Sequence, residues 1–520
     1  MPAEQFVLAI DLGTSGPKVG LVSTSGTVAA WSFEPSPLIR LPDGGVEQDP
    51  DDWWRAVRAA TERVVDQGMV ASRDIVAVGV TSQWSGTVPV AGSRHIGNAL
   101  IWMDSRGSAE IARVNGGPVS IAGYAVPKLI RWIRRSGGAP GHSGKDPVAH
   151  ILYLKHHQPD VHEAATVFLE PKDYLNLRLT GVAAAGYDSI TLHWVTDNRD
   201  LGRVRYDPDL IRLTGLDLAK LPVLRPPDDV LAPLSAEAAA ELGLAAGIPV
   251  MMGTPDTHSA GIGAGAIRDF QGHLYLGTSS WISCHVPFKK TDVLHGIAAL
   301  PAAIPGRYFA ANEQENAGSC LTYLVDNLGM QGDPAADTAY QGLDRVAERV
   351  PAGANGVIFT PWLNGERSPV DDHYLRAGFF NQSLATTDAD LIRAVFEGVA
   401  FNARWLLGYV EKFTGHPMSD LRAVGGGANS AVWCQIHADV LDRTILQVKD
   451  PILAGLRGVA FLAAAKLGSL EYDDIPGLVE IADTYQPNPE HRRLYDDLYR
   501  EFRQLHKANR KIHVRLNRVE

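Results

Sequence analysis

Cysteine is scarce in this chain: Cys284, Cys320 and Cys434 are its only three, far apart and odd in number. A disulfide-stapled secreted fold is therefore not expected, and the three read as reduced, buried thiols. No apolar run reaches membrane-spanning length; the longest, at residues 459–465, is flanked by Arg457 and Lys466. The first residues carry neither the basic nor the apolar region of a secretory leader, so a cytoplasmic protein is expected. Positive charge is in deficit as well. Lys and Arg total 48 against 59 Asp and Glu, a net charge of −11, which argues against nonspecific nucleic-acid binding. It leaves room for an anionic ligand held by local N–H groups. No Gly-x-Ser-x-Gly elbow and no zinc-ligand spacing supports a hydrolase or a zinc enzyme. His150, His156 and His157 sit around ILYLKHHQP, which reads as a helix end, and are taken as structural.

What is present is a globular composition, 45% hydrophobic and 21% charged, over 520 residues, more than one core usually serves. The chain is organised around residues 6–22, FVLAIDLGTSGPKVGLV. A short apolar run ends in Asp11-Leu12-Gly13; Gly13 and Gly16 bracket Thr14 and Ser15; Lys18 follows, then a second apolar run. This reads as strand, glycine turn, strand. Such a turn can present N–H groups and two hydroxyls to phosphate oxygens, with Asp11 placed to hold a hydrated divalent cation. An ordinary hairpin is the plain alternative. The tetrapeptide recurs: Leu12-Gly13-Thr14-Ser15 returns as Leu276-Gly277-Thr278-Ser279, again between strand-like runs. One copy in each half suggests two related lobes closing on a polyphosphate.

Along the chain, a third strand is expected at residues 27–33. Asp49-Pro50 opens a helix with Trp53, Val57, Ala60 and Val64 on one face and Gly68 as its stop. A buried strand at residues 75–80 completes the start of a ribonuclease H-like layer and ends in the polar loop TSQWSGTVPV. Asp104 and Arg106, in WMDSRG, read locally as an ion pair. Residues 241–250 carry the expected join to a second lobe. Asp256, in GTPDTHSAG, is a lone carboxylate at a strand end, suited to take a proton from a hydroxyl or, more simply, to cap a helix. Thr387 or Asp388 caps a long helix reaching toward Gly415. Gly425-Gly426-Gly427-Ala428-Asn429 precede another helix, where a flat ligand or phosphate can approach the backbone. A charged terminal helix at residues 489–506 is expected on the surface.

Taken in order, DLGTSGPKV, SQWSG, WMDSRG, GTPD, LGTSS, NGERSP and GGGAN make the chain similar to the FGGY family of carbohydrate kinases, within the actin/hexokinase superfamily. Within that family the chain looks like the xylulokinases, and the resemblance spans about residues 6–467. It implies an α/β fold of two ribonuclease H-like, actin-like ATPase lobes, each a mixed five-stranded sheet with helices, around an interlobe cleft. The corresponding division is residues 1–248, residues 249–485 and a helical tail at residues 486–520.

The resemblance implies ATP-dependent phosphorylation of a small sugar, a ketopentose such as D-xylulose first, with ATP and Mg2+ as cofactors. Another ketose, a pentitol or a glycerol-like polyol is the alternative, as is a catalytically weak sugar-binding regulator. Gly13, Thr14, Ser15 and Lys18 fall at the first phosphate loop, with Asp11 at the metal. Gly277, Thr278 and Ser279 fall at the second loop, and Gly426, Gly427, Ala428 and Asn429 at the adenosine. Asp256 matches the general base; Gln83, Trp84, Ser85, Trp102 and Asp104 fall where the sugar is held. Each indole N–H is expected to take one sugar hydroxyl, with Ser85 a compact donor and acceptor. The chain departs from xylulokinases at Trp84-Ser85, where they carry Met-His. The expected partners are sugar and ATP, with a homodimer as candidate assembly and neither nucleic acid nor membrane.

Overall fold

The computed structural model describes residues 4–330 and 332–517. The first sheet begins with the expected hairpin: β1 (Phe6–Gly13) pairs antiparallel with β2 (Gly16–Ser23), which pairs with β3 (Val28–Phe33). Helix α1 (Pro50–Val65) follows, with Asp49 accepting the N–H of Asp51 as N-cap and Pro50 at the first helical position. It buries Trp53, Val57, Ala60 and Val64, and ends at Val65 rather than at Gly68, which lies in the turn beyond. Strand β4 (Ile75–Ser82) then runs parallel to β1. After helix α2 (Pro171–Thr180) come β5 (Val230–Pro233), β6 (Pro249–Met251) and β7 (Thr254–Pro255). The sheet order is β5-β6-β4-β1-β2-β3, with β7 also pairing with β4.

The expected boundary after residue 248 is therefore corrected. Strands β6 and β7 pair with β4, so the first lobe runs through them, and Gly247 lies in a turn inside that lobe. The chain leaves the first lobe through helix α3 (Asp256–Gly263).

The second sheet has five strands. Its hairpin is β8 (Gly272–Leu276) with β9 (Ser280–Ser283), and β10 (Tyr308–Ala311) follows in a neighbouring small sheet. Helix α4 (Asp388–Thr414) has Thr387 as N-cap in a capping box and Gly415 as left-handed C-cap. Strand β11 (Asp420–Val424), helix α5 (Ala431–Leu441), strand β12 (Thr444–Val448), helix α6 (Ala454–Lys466) and strand β13 (Ile481–Tyr485) complete the order β9-β8-β11-β12-β13. The first sheet has seven strands rather than the expected five: β2-β1-β4-β6-β5 repeats this order with the same antiparallel and parallel pairings, and β3 and β7 are added. The final helix α7 (Arg492–Asn517) is not a surface appendage. Tyr495 and Phe502 are fully buried in the second core, and the Tyr495 hydroxyl donates to Glu397 Oε1 at 2.9 Å. Its charged sequence covers only the outer face.

The lobes meet along α3 and α6. A Cβ on Gly263 would lie 1.8 Å from Ala454 O, and one on Gly458 1.9 Å from Ser259 O, so the two helices touch backbone to backbone. Helix α6 sets Leu456, Val459, Ala460 and Ala463 against Val7, Ala9, Val22 and Ala77 of the first sheet. A helix that follows the second lobe's parallel strands thus packs under the first lobe's sheet, and the cleft opens above that crossing.

Candidate active site

The two recurrent tetrapeptides face one cleft of about 1130 Å³ between the lobes. In the first, Gly13 pairs with Gly16, leaving Thr14-Ser15 as a two-residue turn; Ser15 is exposed. Gly16 has φ +140°, and a Cβ there would meet Glu34 O at 2.0 Å. In the second, Leu276 pairs with Ser280, leaving the three residues Gly277, Thr278 and Ser279. A Cβ on Gly277 would strike the Tyr275 ring at 2.3 Å, and that ring is stacked on Trp281 at 3.8 Å.

Gly13, Thr14, Ser15, Lys18, Gly277, Thr278, Ser279, Gly426, Gly427 and Asn429 all line the cleft. So do Gln83, Trp84, Ser85, Trp102 and Asp256. Three expected residues do not: Asp11, Asp104 and Ala428. Asp104 is fully buried: Oδ2 accepts Val46 N–H at 3.0 Å, and Arg106 donates to both oxygens. The local ion-pair reading holds, and its place among the sugar ligands is corrected, because every oxygen is committed to the strand and loop behind the site. Ala428 is fully buried too, with its carbonyl accepting Gln447 Nε2 at 2.6 Å.

The expected hydroxyl chemistry also changes. Thr14 Oγ1 donates to Gln83 Oε1 at 3.0 Å and accepts the Trp102 indole N–H at 2.9 Å. Gln83 in turn donates to Gln48 Oε1 at 2.7 Å, and Gln48 donates to Thr14 O at 2.9 Å. Thr14 and Trp102 are thus tied to each other rather than held open for ligand. The Trp84 N–H goes to Ser189 O at 2.8 Å, and the Ser85 hydroxyl donates to Lys145 O at 2.9 Å. What these residues offer a ligand is the indole faces and the Ser85 lone pairs, not the two indole donors. His258, held neutral by burial with a pKa of about 3, stands edge-on to Trp84 at 5.2 Å.

Lys18 Nζ lies 2.8 Å from Asp11 Oδ2 at the mouth of the first turn. A Cβ on Gly455 would come 2.7 Å from that same oxygen, so the start of α6 approaches the carboxylate as only glycine permits. Asp256 is the first residue of α3, with Pro255 as cap, and its Oδ1 accepts the Thr257 N–H at 2.8 Å. Burial, with Asp11 and Glu313 nearby, holds its carboxyl well above the usual range; Thr257 and Lys18 oppose this. Of the three glycines before α5, Gly425 (φ +92°) is wedged against Leu276 O and Gly427 against the Trp433 ring, whereas Gly426 has only Ile452 at 4.0 Å. Gly426 is the open approach, in a cleft that Leu321, Thr322, Tyr340 and Gln341 also line.

A charged group at the cleft had no role in the sequence reading. Arg367 Nη1 donates to Glu313 Oε2 at 2.7 Å and Nε to Glu315 Oε1 at 3.1 Å; Lys145, from the first lobe, reaches Glu315 Oε2 at 2.9 Å. Burial opposes charging of Glu315, but Lys145 and Arg367 overcome it and hold its carboxyl low; burial raises that of Glu313. Glu366 Oε1 accepts the N–H groups of Glu315 and Arg367, each at 2.9 Å, and burial raises its pKa to about 8. The signal was present as NEQEN just after an apolar run, and as the charged pair inside NGERSP. His156 and His157 both bond Glu110 and His150 is buried, so all three are structural.

Among the described residues no helix is long and apolar enough to cross a membrane. Residues 6–263 match the N-terminal domain of the FGGY family of carbohydrate kinases, and residues 273–467 match its C-terminal domain. The chain is 26% identical to the xylulose kinase of Staphylococcus epidermidis, over 98% of each chain. It is 28% identical to the xylulose kinase of Escherichia coli, over 94% of this chain and 99% of that one. A solved gluconate kinase from Lactobacillus acidophilus superposes with a TM-score of 0.84, at 24% identity, over 99% of this chain and 100% of that one. Two lobes, two Leu-Gly-Thr-Ser turns facing one cleft, and both domain matches end at one conclusion: the chain belongs to the FGGY family of carbohydrate kinases and is a sugar phosphotransferase.

Proposed function

We propose that the chain transfers the γ-phosphoryl group of ATP to a hydroxyl of a small ketose, D-xylulose first, with Asp256 as general base. The observation that carries this is the position of Asp256: a carboxyl at the start of α3, lining the cleft that the two Leu-Gly-Thr-Ser turns also line. Phosphoryl transfer is largely positioning and charge stabilisation. The N–H groups of both turns would hold the phosphates, Gly426 would admit the adenosine, and Asp256 would align the attacking hydroxyl and take its proton. Its raised affinity for protons suits a base, provided substrate binding offsets the charge of Asp11. Trp84 and Trp102 offer flat faces to the C–H side of a small polyol.

Magnesium fits the residues present. Asp11 is a single buried carboxylate with Lys18 on one oxygen, and magnesium commonly takes one or two carboxylates with phosphate oxygens and water. Among the described residues the only three-member ligand cluster is Asp49, Asp51 and His95, none of which lines the cleft, whereas Asp11 is bonded to the lining residue Lys18. Asp11 would hold the ion, which when bound neutralises phosphate charge.

The relatives favour D-xylulose; Trp84-Ser85 in place of Met-His, and the fold shared with a gluconate kinase, keep ribulose, pentitols, glycerol and gluconate in the comparison. Sugar-dependent ADP release over that panel tests the reading. The highest kcat/KM should fall on D-xylulose. A higher value for gluconate or glycerol would overturn the substrate while leaving the kinase class in place.

A further inference from the structure

Behind the sugar side of the cleft lies a buried polar layer that the transfer reaction, as assigned above, does not use. Lys172 and Asp173, at the start of α2, pair with each other. Lys172 Nζ and Asn176 Nδ2 both donate to Met252 O, at 3.0 and 2.8 Å. The Ser189 hydroxyl donates to Asp173 Oδ2 at 3.1 Å. Asp188 stands at the centre, fully buried, with its two oxygens bonded to two different parts of the site. The Thr254 hydroxyl donates to Oδ2 at 2.5 Å, and the Ser189 N–H donates to Oδ1 at 2.8 Å. Thr254 lies on β7, two residues before Asp256. The carbonyl of Ser189 takes the Trp84 indole N–H at 2.8 Å. Even the glycine next door is accounted for, since a Cβ on Gly186 would lie 2.3 Å from Asp188 Oδ1.

A buried carboxylate costs several kcal/mol of desolvation unless its oxygens are well bonded. An apolar residue would fill the same space without that cost, so space-filling does not explain Asp188. What an apolar residue could not do is accept from the catalytic strand end and from the anchor of the substrate loop together.

We propose that Asp188 is a positioning residue for phosphoryl transfer, tying the turn that presents Asp256 to the segment that fixes Trp84, so that the base and the sugar wall keep one mutual geometry. Thr254 is its link to the base and Ser189 its link to the indole. The effect reaches the reaction through alignment, where a displacement of about 1 Å can cost about a hundredfold in rate. The nucleotide side of the cleft, carried by the second lobe, lies outside this tie.

The inference rests on Asp256 being the base, and the experiment separates the two. Thr254→Val removes the hydroxyl with little change of shape; Thr254→Ser restores it; Asp188→Asn removes the charge. Each is assayed for kcat and KM with D-xylulose, for ATP affinity by titration, and for Tm. Thr254→Val should lose about 10–100-fold in kcat/KM for sugar with ATP affinity unchanged, and Thr254→Ser should recover most of it. Asp188→Asn should show the same split, and the double variant should lose no more than the worse single one. Should Asp188→Asn fail to fold, the Thr254 pair still decides. Wild-type kinetics in Thr254→Val, or equal loss in Val and Ser, would overturn the inference. Asp256→Asn run alongside distinguishes the failures: near-normal turnover there removes the base assignment, whereas an inactive Asp256→Asn beside a normal Thr254→Val removes only the role of Asp188.

Discussion

The same four residues, Leu-Gly-Thr-Ser, fold into two different turns, one in each lobe. The first closes after two residues and the second after three. The first is braced from below: Thr14 is bonded to Gln83 and Trp102, Gly16 is pressed on Glu34 O, and Ser15 O accepts the Ser36 N–H at 2.9 Å. The second is braced from behind by backbone: Gly318 donates to Gly277 O at 2.8 Å and Ala317 to Thr278 O at 2.9 Å, while the Thr278 side chain is exposed and has no bonding partner among the described residues. In the proposed function the first turn therefore belongs with the sugar side, through Gln83 and Trp102, and the second with the nucleotide side, through the Leu276 carbonyl against Gly425. On that proposal the turns share a task, and their neighbours decide which substrate each answers to.

That contrast can be broken experimentally. Gly16→Ala should have the largest effect on stability. Its φ of +140° and the 2.0 Å approach to Glu34 O leave a side chain no place, so a loss of about 1–3 kcal/mol or more in urea unfolding is expected, with activity for every substrate falling together. Thr14→Val comes next. It strands the Trp102 N–H and the Gln83 carbonyl, and should cost about 1–3 kcal/mol and raise KM for sugar more than for ATP. Gly277→Ala should be milder in stability, since a ring rather than backbone must move, but should raise KM for ATP selectively. Thr278→Val should leave Tm unchanged and alter only ATP affinity. If Thr14→Val and Thr278→Val proved alike in stability and in substrate bias, the two turns would not divide the work as described.

The local features were legible in the sequence because short-range rules govern them. The hairpin at Gly13–Gly16, the Asp49-Pro50 start of α1 and the Thr387 and Gly415 ends of α4 follow from caps, glycine and alternation. The cleft residues became legible once the ordered motifs suggested a family. What stayed hidden depends on contacts between distant parts of the chain. Nothing local to Asp104 says that the Val46 N–H will take one of its oxygens, nor that Thr14 will consume the Trp102 donor. The boundary after residue 248 failed for the same reason: a turn rich in glycine looks like a linker until β6 and β7 are seen to pair with β4. The charged appearance of α7 likewise concealed two buried aromatics on one face.

A smaller effect concerns pH. A carboxyl whose folded pKa is raised binds more protons folded than unfolded, so it contributes stability fully present below its ordinary pKa and lost as pH rises through the raised one. Asp256 and Glu366 both behave this way, the latter with a folded value of about 8. The contribution of these two groups should therefore decline between about pH 5 and pH 8, against the rise that buried histidines such as His258, with a pKa lowered to about 3, contribute up to their ordinary range. Asp256→Asn should flatten part of that decline and be the more stable protein at pH 8, measured by thermal unfolding across the range.

The most direct test of the account is Asp256→Asn itself, with D-xylulose phosphorylation measured by product formation and sugar and ATP affinities measured by titration on the same preparation. The account predicts a fall in kcat of about 10²–10⁴-fold with both ligands still bound and the fold intact. Turnover near that of the wild type, with both ligands bound, would contradict it.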